Sequence, residues 1–571
     1  MRARGESCGE VDRSRGPHVR GRRRGTAPSC PRVTIFAGAV GAVVAVLAMA
    51  ACSGSATPPP LGTLADSGFR PAANGFPFAN YGATLENGAA PTNLTVADVR
   101  AMFGDKEVCA DAASGRCDLI PEAQAWLDDT NKGMAGGHCY GFSVLAQLLW
   151  EGKVNHAALG APSTTALSVN NNEALQRAIA YYWSFQLLGS VGSKAVRGTP
   201  NQVLATLRKV LKPHPTDTYT VAIFKPDFSA GHAVTPYAVE NEGSGKFKVL
   251  IYDNNWPGAT RAISFDTKAN SWTYAASTNP DDPESTYSGN AKTKSMTLLP
   301  TSPGLGDQPC PFCGKVPDGP TLGGGLGVKG TDEITLTGSD TDHADLVIAD
   351  HSGHRLGDVN GALVDHISGA RVEPLISGDW SDNIEPDFVV PAHATYTVTI
   401  DGSRLRSPDT ETLRLIGPGY DVAVDNIPVR PGDRDTLVVA PGATTVSYTS
   451  SRAESPTIEL GVSDTRADYT FTVAGVSDRP GSTINLRLPA EGGTLTFDNM
   501  GSAGRSTVDL KVVRETPRGV QVFSHDGVGL AGGDKAELEF GHWANPTEGM
   551  ALVTTHAGQR SAQTLADQQG A

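Results

Sequence analysis

The stretch Asn131–Gly152, NKGMAGGHCYGFSVLAQLLWEG, decides how the first half of this chain is read. A glycine pair, Gly136 and Gly137, leads into His138 and Cys139, and Val144, Leu145, Leu148 and Leu149 then recur at helical spacing up to Gly152, where a helix stops. Cys139 is therefore placed at or next to a helix N-terminus, where backbone N–H groups lack intrahelical acceptors and negative charge is favoured. A thiol in that position with an imidazolium beside it ionises readily and becomes a useful nucleophile.

Working outward, the pattern predicts a helix over about Asn172–Leu188, with Leu175, Ile179 and Tyr182 on one face. Another is marked by Thr199 as cap, Pro200 at the first helical position, Gln202 completing a capping box, and the stripe Val203, Leu204, Leu207, Val210 and Leu211. Three strands are predicted next, at Tyr219–Phe224, His232–Glu240 and Lys246–Tyr252, the last two forming a hairpin at NEGSG. Pro236 restricts its strand to an edge or a bulge. His232 follows a glycine in GHAVTPYAVE, and Asp253 closes the third strand in VLIYDNNWPG.

GGHCYGFS resembles the nucleophile segment of papain-like cysteine peptidases. GHAV, followed by a hairpin and a strand ending in DNNWPG, is similar to that family's histidine strand and its Asn-Ser-Trp-Gly strand end. The resemblance spans about Asp128–Asp253 and is closest to the leader-processing peptidases of that class. It implies an α+β papain-like domain over residues 77–300, a Cys-bearing helix packed on an antiparallel sheet, with a triad of Cys139, His232 and Asp253. Alignment on Trp256 would make Asn254 the orienting residue; alignment on the strand end makes it Asp253, which we prefer because a carboxylate accepting from the histidine favours imidazolium. Two departures stand out. The glutamine that the family places shortly before its cysteine has no counterpart, since Lys132 or Gly133 stands there, and Asn131 is the nearest amide for the oxyanion. A lost oxyanion donor costs on the order of 10²-fold or more in rate. The interval of 93 residues from Cys139 to His232 is also short for that family.

The expected activity is an amide hydrolase or acyl transferase of the thiol protease type, acting without cofactor or metal on a peptide, protein or peptidoglycan amide. Transglutaminase-like acyl transferases and cell-wall amidases share the order Cys, His, Asp and are the rival enzymes. A non-catalytic surface adhesin or scaffold with an inactive papain-like domain is the rival outside catalysis.

The first 32 residues carry nine arginines against Glu6, Glu10 and Asp12, and charge then vanishes from Val33 to Ala51. This basic segment and the apolar run after it read as a signal peptide, and the small residues leading into Cys52 resemble the lipobox of bacterial lipoproteins. The resemblance implies cleavage before Cys52, lipid attachment there, and a protein held at the extracytoplasmic face of the cell membrane. A single membrane-spanning anchor is the alternative, because the run approaches the ~20 apolar residues such a helix needs. The whole chain carries a net charge of −14, and removing the leader leaves a remainder near −20, which argues against a nucleic-acid partner.

Beyond the leader, residues 53–76 read as a flexible tether and 301–329 as a Gly/Pro-rich linker holding a Cys-x-x-Cys. Short Val/Thr/Ile/Leu segments between turns predict all-β sandwich modules at 330–408 and 409–557, with room for a surface ligand, and 558–571 reads as a disordered tail. Asp340, Asp342, Asp379 and Asp382 fit turns better than a calcium site. Outside the cytoplasm the natural disulfides are Cys109–Cys117 and Cys310–Cys313, leaving Cys139 free; pairing of Cys139 with Cys109 or Cys117 is the open alternative.

Overall fold

The computed structural model describes residues 60–568, apart from 112–114, 226–229, 276–285, 315–329, 340–341, 377–385, 465–466, 477–478, 489–492, 501–503 and 544–547. The leader, Cys52, Asp340, Asp379 and Asp382 lie outside the described residues. The helices in chain order are α1 (Pro71–Asn74), α2 (Val96–Phe103), α3 (Asp105–Val108), α4 (Pro121–Gly133), α5 (Cys139–Trp150), α6 (Glu173–Trp183), α7 (Gly189–Gly192) and α8 (Pro200–Val210). The strands of the first sheet are β1 (Gly62–Asp66), β2 (Val196–Arg197), β3 (Tyr219–Phe224), β4 (Gly231–Gly243), β5 (Lys246–Asp253), β6 (Thr260–Asp266), β7 (Ser271–Ala275), β8 (Thr286–Asn290) and β9 (Met296–Pro300). They are antiparallel in the order β2-β9-β3-β4-β5-β6-β7-β8, with β1 also on β4.

α5 begins at Cys139 and is buried from there through Leu149. One side, with Phe142, Leu145 and Leu149, packs with Tyr237 and Tyr252 of the sheet, and another, with Val144 and Leu148, meets Ala222 and Ala233. Each such large side chain taken from water stabilises by about 1.5–3 kcal/mol. Gly141 has a packing reason: a Cβ there would lie 2.0 Å from the Ile179 carbonyl oxygen, so its absence lets α5 and α6 touch.

Local signals are realised as written. The Thr199–Gln202 capping box forms on α8, with the Thr199 N–H donating to Gln202 Oε1 at 2.8 Å. β4 and β5 turn through Ser244 and Gly245, both at positive φ as a two-residue hairpin of the I′ kind requires. Pro236 falls in the interval where β4 has left β3, which pairs up to Val234, and has not yet met β1, which pairs from Ala238. On its other side the register with β5 shifts between Pro236 and Ala238, so the proline sits at a bulge.

Three segments read as unstructured are built into the fold. In the expected tether, β1 pairs with β4 and Phe69 and Phe76 are buried with Tyr252. In the expected linker, Phe312 stacks on Trp126, and the Gly419 N–H donates to its carbonyl at 3.0 Å. In the expected tail, Gln559–Leu565 pairs with Met550–His556.

The remainder is β-rich: a nine-stranded and an eleven-stranded sheet share one core running from Ile334 to Leu565. The boundary expected at 408/409 divides nothing, because Asp409–Gly417 pairs with Thr331–Thr337 across it. From residue 409 hairpins alternate between sheets. Asp409–Val429, Thr457–Ala474 and Ser506–Leu530 extend the first, whereas Arg434–Thr449, Thr483–Met500 and Lys535–His556 extend the second. The link between them repeats its chemistry: the N–H of Arg430, Arg479 and Ala531 donates to the side chain of Asp433, Ser482 and Asp534. The intervening Gly432, Gly481 and Gly533 all take positive φ.

α4 joins the two parts. Ser463 Oγ donates to Glu122 Oε2 at 2.8 Å, and Thr335 Oγ1 donates to Asp129 Oδ2 at 2.6 Å.

Candidate functional site

Cys139 is the first residue of α5, with His138 as its cap, so its side chain stands by the unsatisfied N–H groups of the first turn. Cys109–Cys117 and Cys310–Cys313 are disulfides, and Cys139 is a free, fully buried thiol. The Ala233 N–H, on β4 directly after His232, donates to Sγ at 3.3 Å. Sγ in turn donates to the Ile376 carbonyl at 3.6 Å.

His232 is brought over α5 by β4, and Asp253 stands at the end of β5, paired in register with Val234. His232 Nε2 lies 2.8 Å from Asp253 Oδ1. The Asn255 N–H also donates to that oxygen at 2.9 Å, and Tyr274 donates its hydroxyl to the other. All of this is buried. Burial works to lower the pKa of His232, but the Asp253 charge and hydrogen bond, with a further contribution from Cys139, outweigh it and raise the value to about 10. Burial likewise works to raise Asp253, and the charge and hydrogen bonds of His232, Tyr274 and Asn255 reverse this and hold its carboxyl below the usual range. His232 Nδ1 makes no hydrogen bond of regular geometry, although Cys139 is close enough to raise the His232 pKa. Nε2 being engaged by Asp253, Nδ1 is the nitrogen left for Cys139.

The two alignments considered for the orienting residue are thereby separated. Asp253 bonds His232, whereas Asn254 donates from Nδ2 to the Cys139 carbonyl at 3.1 Å and to the Ala233 carbonyl at 2.9 Å, pinning helix start to strand. Asn131 is elsewhere engaged: its side-chain amide bonds both backbone groups of Leu94, at 3.0 and 3.1 Å, and is not an oxyanion donor as placed.

Asn80 was not singled out from the sequence. Its Oδ1 accepts from the His138 N–H at 2.8 Å, its own N–H donates to the Asn254 carbonyl at 2.9 Å, and its Nδ2 is buried without a partner. A second amide, Gln186 Nε2, donates to the Ile376 carbonyl at 3.3 Å, the same oxygen that Sγ meets. His138 stands apart from the pair His232 and Asp253. Its ring lies 2.8 Å from the Tyr81 carbonyl and 2.9 Å from Asn93 Oδ1, and burial lowers its pKa to about 4, keeping it neutral.

Asp342 accepts from the Arg406 and Ser407 N–H groups, both at 2.9 Å, and so ties two loops together. No group of three or more His, Cys, Asp or Glu side chains among the described residues is arranged to hold a metal ion. Among those residues no helix is long and apolar enough to cross a membrane. No protein-family model matches the sequence, and comparison with curated proteins and with solved structures gives no significant match.

Proposed function

We propose that this chain is an exported, lipid-anchored cysteine hydrolase of papain-like type that cleaves or transfers amide bonds through Cys139, His232 and Asp253. The observation that carries the reading is the disposition of His232. One ring nitrogen is held by a carboxylate that itself accepts from Tyr274 and Asn255, and the other is left toward a free thiol at a helix N-terminus.

In this reading the Cys139 thiolate attacks the amide carbonyl carbon, forming a C–S bond and a tetrahedral oxyanion. His232 Nδ1 gives its proton to the nitrogen as the C–N bond breaks, releasing an amine and leaving a thioester. Water or a second amine, deprotonated by His232, then resolves the thioester. Asp253 keeps the ring oriented and compensates its charge throughout. The first-turn N–H groups of α5 and the unpartnered Nδ2 of Asn80 supply the oxyanion donors that the missing glutamine leaves open.

The test is labelling with a thiol-directed electrophile across pH, read by mass spectrometry, on the wild type, His232→Ala and Asp253→Ala. The reading expects the pH profile of Cys139 labelling to depend on His232 and Asp253, with the acid-side reactivity lost in His232→Ala. A profile like that of a free thiol in all three proteins overturns it. The complete burial of Cys139 favours the second reading, a surface scaffold whose papain-like domain is inactive, which predicts labelling that is slow and the same with and without His232.

A further inference from the structure

The cover on the thiol comes from the β-rich part of the chain. Strands Arg371–Glu373 and Asp387–Pro391 pair with each other, and the residues directly after the first of them, Pro374, Leu375 and Ile376, reach back to α5. Gln186 engages both backbone groups of Ile376: its Oε1 accepts from the Ile376 N–H at 2.7 Å and its Nε2 donates to the Ile376 carbonyl at 3.3 Å. That carbonyl also meets Cys139 Sγ at 3.6 Å. Leu375 runs along Gly231, where a Cβ would lie 2.7 Å from the Leu375 carbonyl oxygen, so the glycine before the triad histidine is what admits this backbone. The Leu375 side chain lies over Gly133, its Cδ1 being 3.5 Å from where a Cβ there would stand, with Trp183 beside the same position. Ile376 is buried in the cluster that contains Cys139.

We propose that Pro374–Ile376 is an internal pseudo-substrate strap. It keeps the thiol latent, and the groove it fills accepts an extended peptide with bulky aliphatic residues where Leu375 and Ile376 now lie. The inference rests on the hydrolase reading for its substrate half. A side-chain amide that holds an N–H and C=O of one residue recognises main chain whatever the sequence, in the way a strand partner does. The two aliphatic side chains supply the selectivity. The Ile376 carbonyl, held by the Gln186 amide and met by the thiol, sets main chain of this segment directly against Cys139, where the backbone of a bound peptide would lie. Displacement of the strap, by a partner of the β-rich part or by a competing peptide, would then uncover the site.

The experiment measures the rate at which iodoacetamide alkylates Cys139 in the full protein, Leu375→Ser/Ile376→Ser and, as a milder release, Gln186→Ala. Thermal melting verifies that each variant is folded. The expected result is at least about tenfold faster alkylation in both variants, and slowing of the double variant when an acetylated peptide copying Arg371–Ile376 is added, but not when its scrambled version is. Equal rates in wild type and folded variants overturn the strap. Faster alkylation with no protection by the copied peptide overturns the substrate-like groove. The two readings fail separately. If Cys139 in the released variant shows the pH profile of a free thiol, the hydrolase reading falls and takes the substrate half with it. If the profile depends on His232 while wild type and variants are equally accessible, the hydrolase reading stands and the strap falls.

Discussion

Asp253 and Asn254 are adjacent and do different work: Asp253 ends β5 and bonds the His232 ring, whereas Asn254 opens the following turn and bonds backbone carbonyls. Asp253 governs the charge of His232. Its removal in Asp253→Asn leaves burial as the dominant influence, so His232, raised to about 10 in the wild type, is expected to fall to its ordinary range or lower and to be neutral at pH 7. An NMR titration of the imidazole reads this directly; a value unchanged in the variant refutes the assignment. The linkage follows from the sign. The folded value lies above the unfolded one of ~6.5, so the contribution of His232 to stability is complete below that pH and lost as pH rises through about 10. Asn254 governs position instead. Asn254→Ala removes the amide bonds to the Cys139 and Ala233 carbonyls in a buried setting, which is expected to cost about 1–3 kcal/mol in urea denaturation while leaving the His232 titration in place. The juxtaposition of Cys139, His232 and Asp253 could be anticipated because each lies at or next to the end of an element with strong local signals. Asn80 and Gln186 were not, since nothing in FANYG or SFQLLG states that the chain will bring those amides to α5.

Elements whose cause lies within a few residues could be read directly: the capping box of α8, the turn between β4 and β5, and the helix that starts at Cys139. β1 could not, because GTLAD becomes a strand only by pairing with Asn241–Ala238, far along the chain. The hairpin repeat of the β-rich part also escaped sequence reading. Its common feature is a turn bond accepted by Asp in two copies and by Ser in the third, which a search for identical residues passes over. Within the elements Gly141 gives a sharp test. Gly141→Ala improves intrinsic helix propensity by up to about 1 kcal/mol but sets a methyl against the Ile179 carbonyl, so α5 and α6 must separate. The expected outcome is net destabilisation of about 1–3 kcal/mol and altered Cys139 alkylation; a stabilised variant would show that the helices are not so closely packed.

Across the whole molecule, the junction between α4 and the β-rich part is acidic and buried. Burial lifts Glu122 well above its usual range and lifts Asp421 to about 7, the latter aided by Glu459 and opposed by Arg414. Deeper in the same part, burial raises Asp332 to about 7 and Glu411 to about 8. A carboxyl with a raised folded pKa holds its proton in the native state after the unfolded chain has released its own. Stability from these groups is therefore whole below the unfolded values near ~4 and falls as pH rises through 7 to 8. His138 and Asp253 act against this from the acid side. His138, lowered to about 4, loses its contribution as pH drops from ~6.5, and Asp253 loses its own below ~4. Above about pH 5 the raised carboxyls outnumber the opposing groups, so the melting temperature falls as pH rises toward 8. Because part of this slope arises where α4 meets the sandwich, Glu122→Gln with Asp421→Asn is expected to reduce it and to raise the melting temperature at pH 8, by removing charges that the fold cannot solvate. Calorimetric melts from pH 5 to 9 check both statements. A wild-type melting temperature that rises over that range, or a double variant that keeps the wild-type slope, would mean that the junction is hydrated and carries its charge freely.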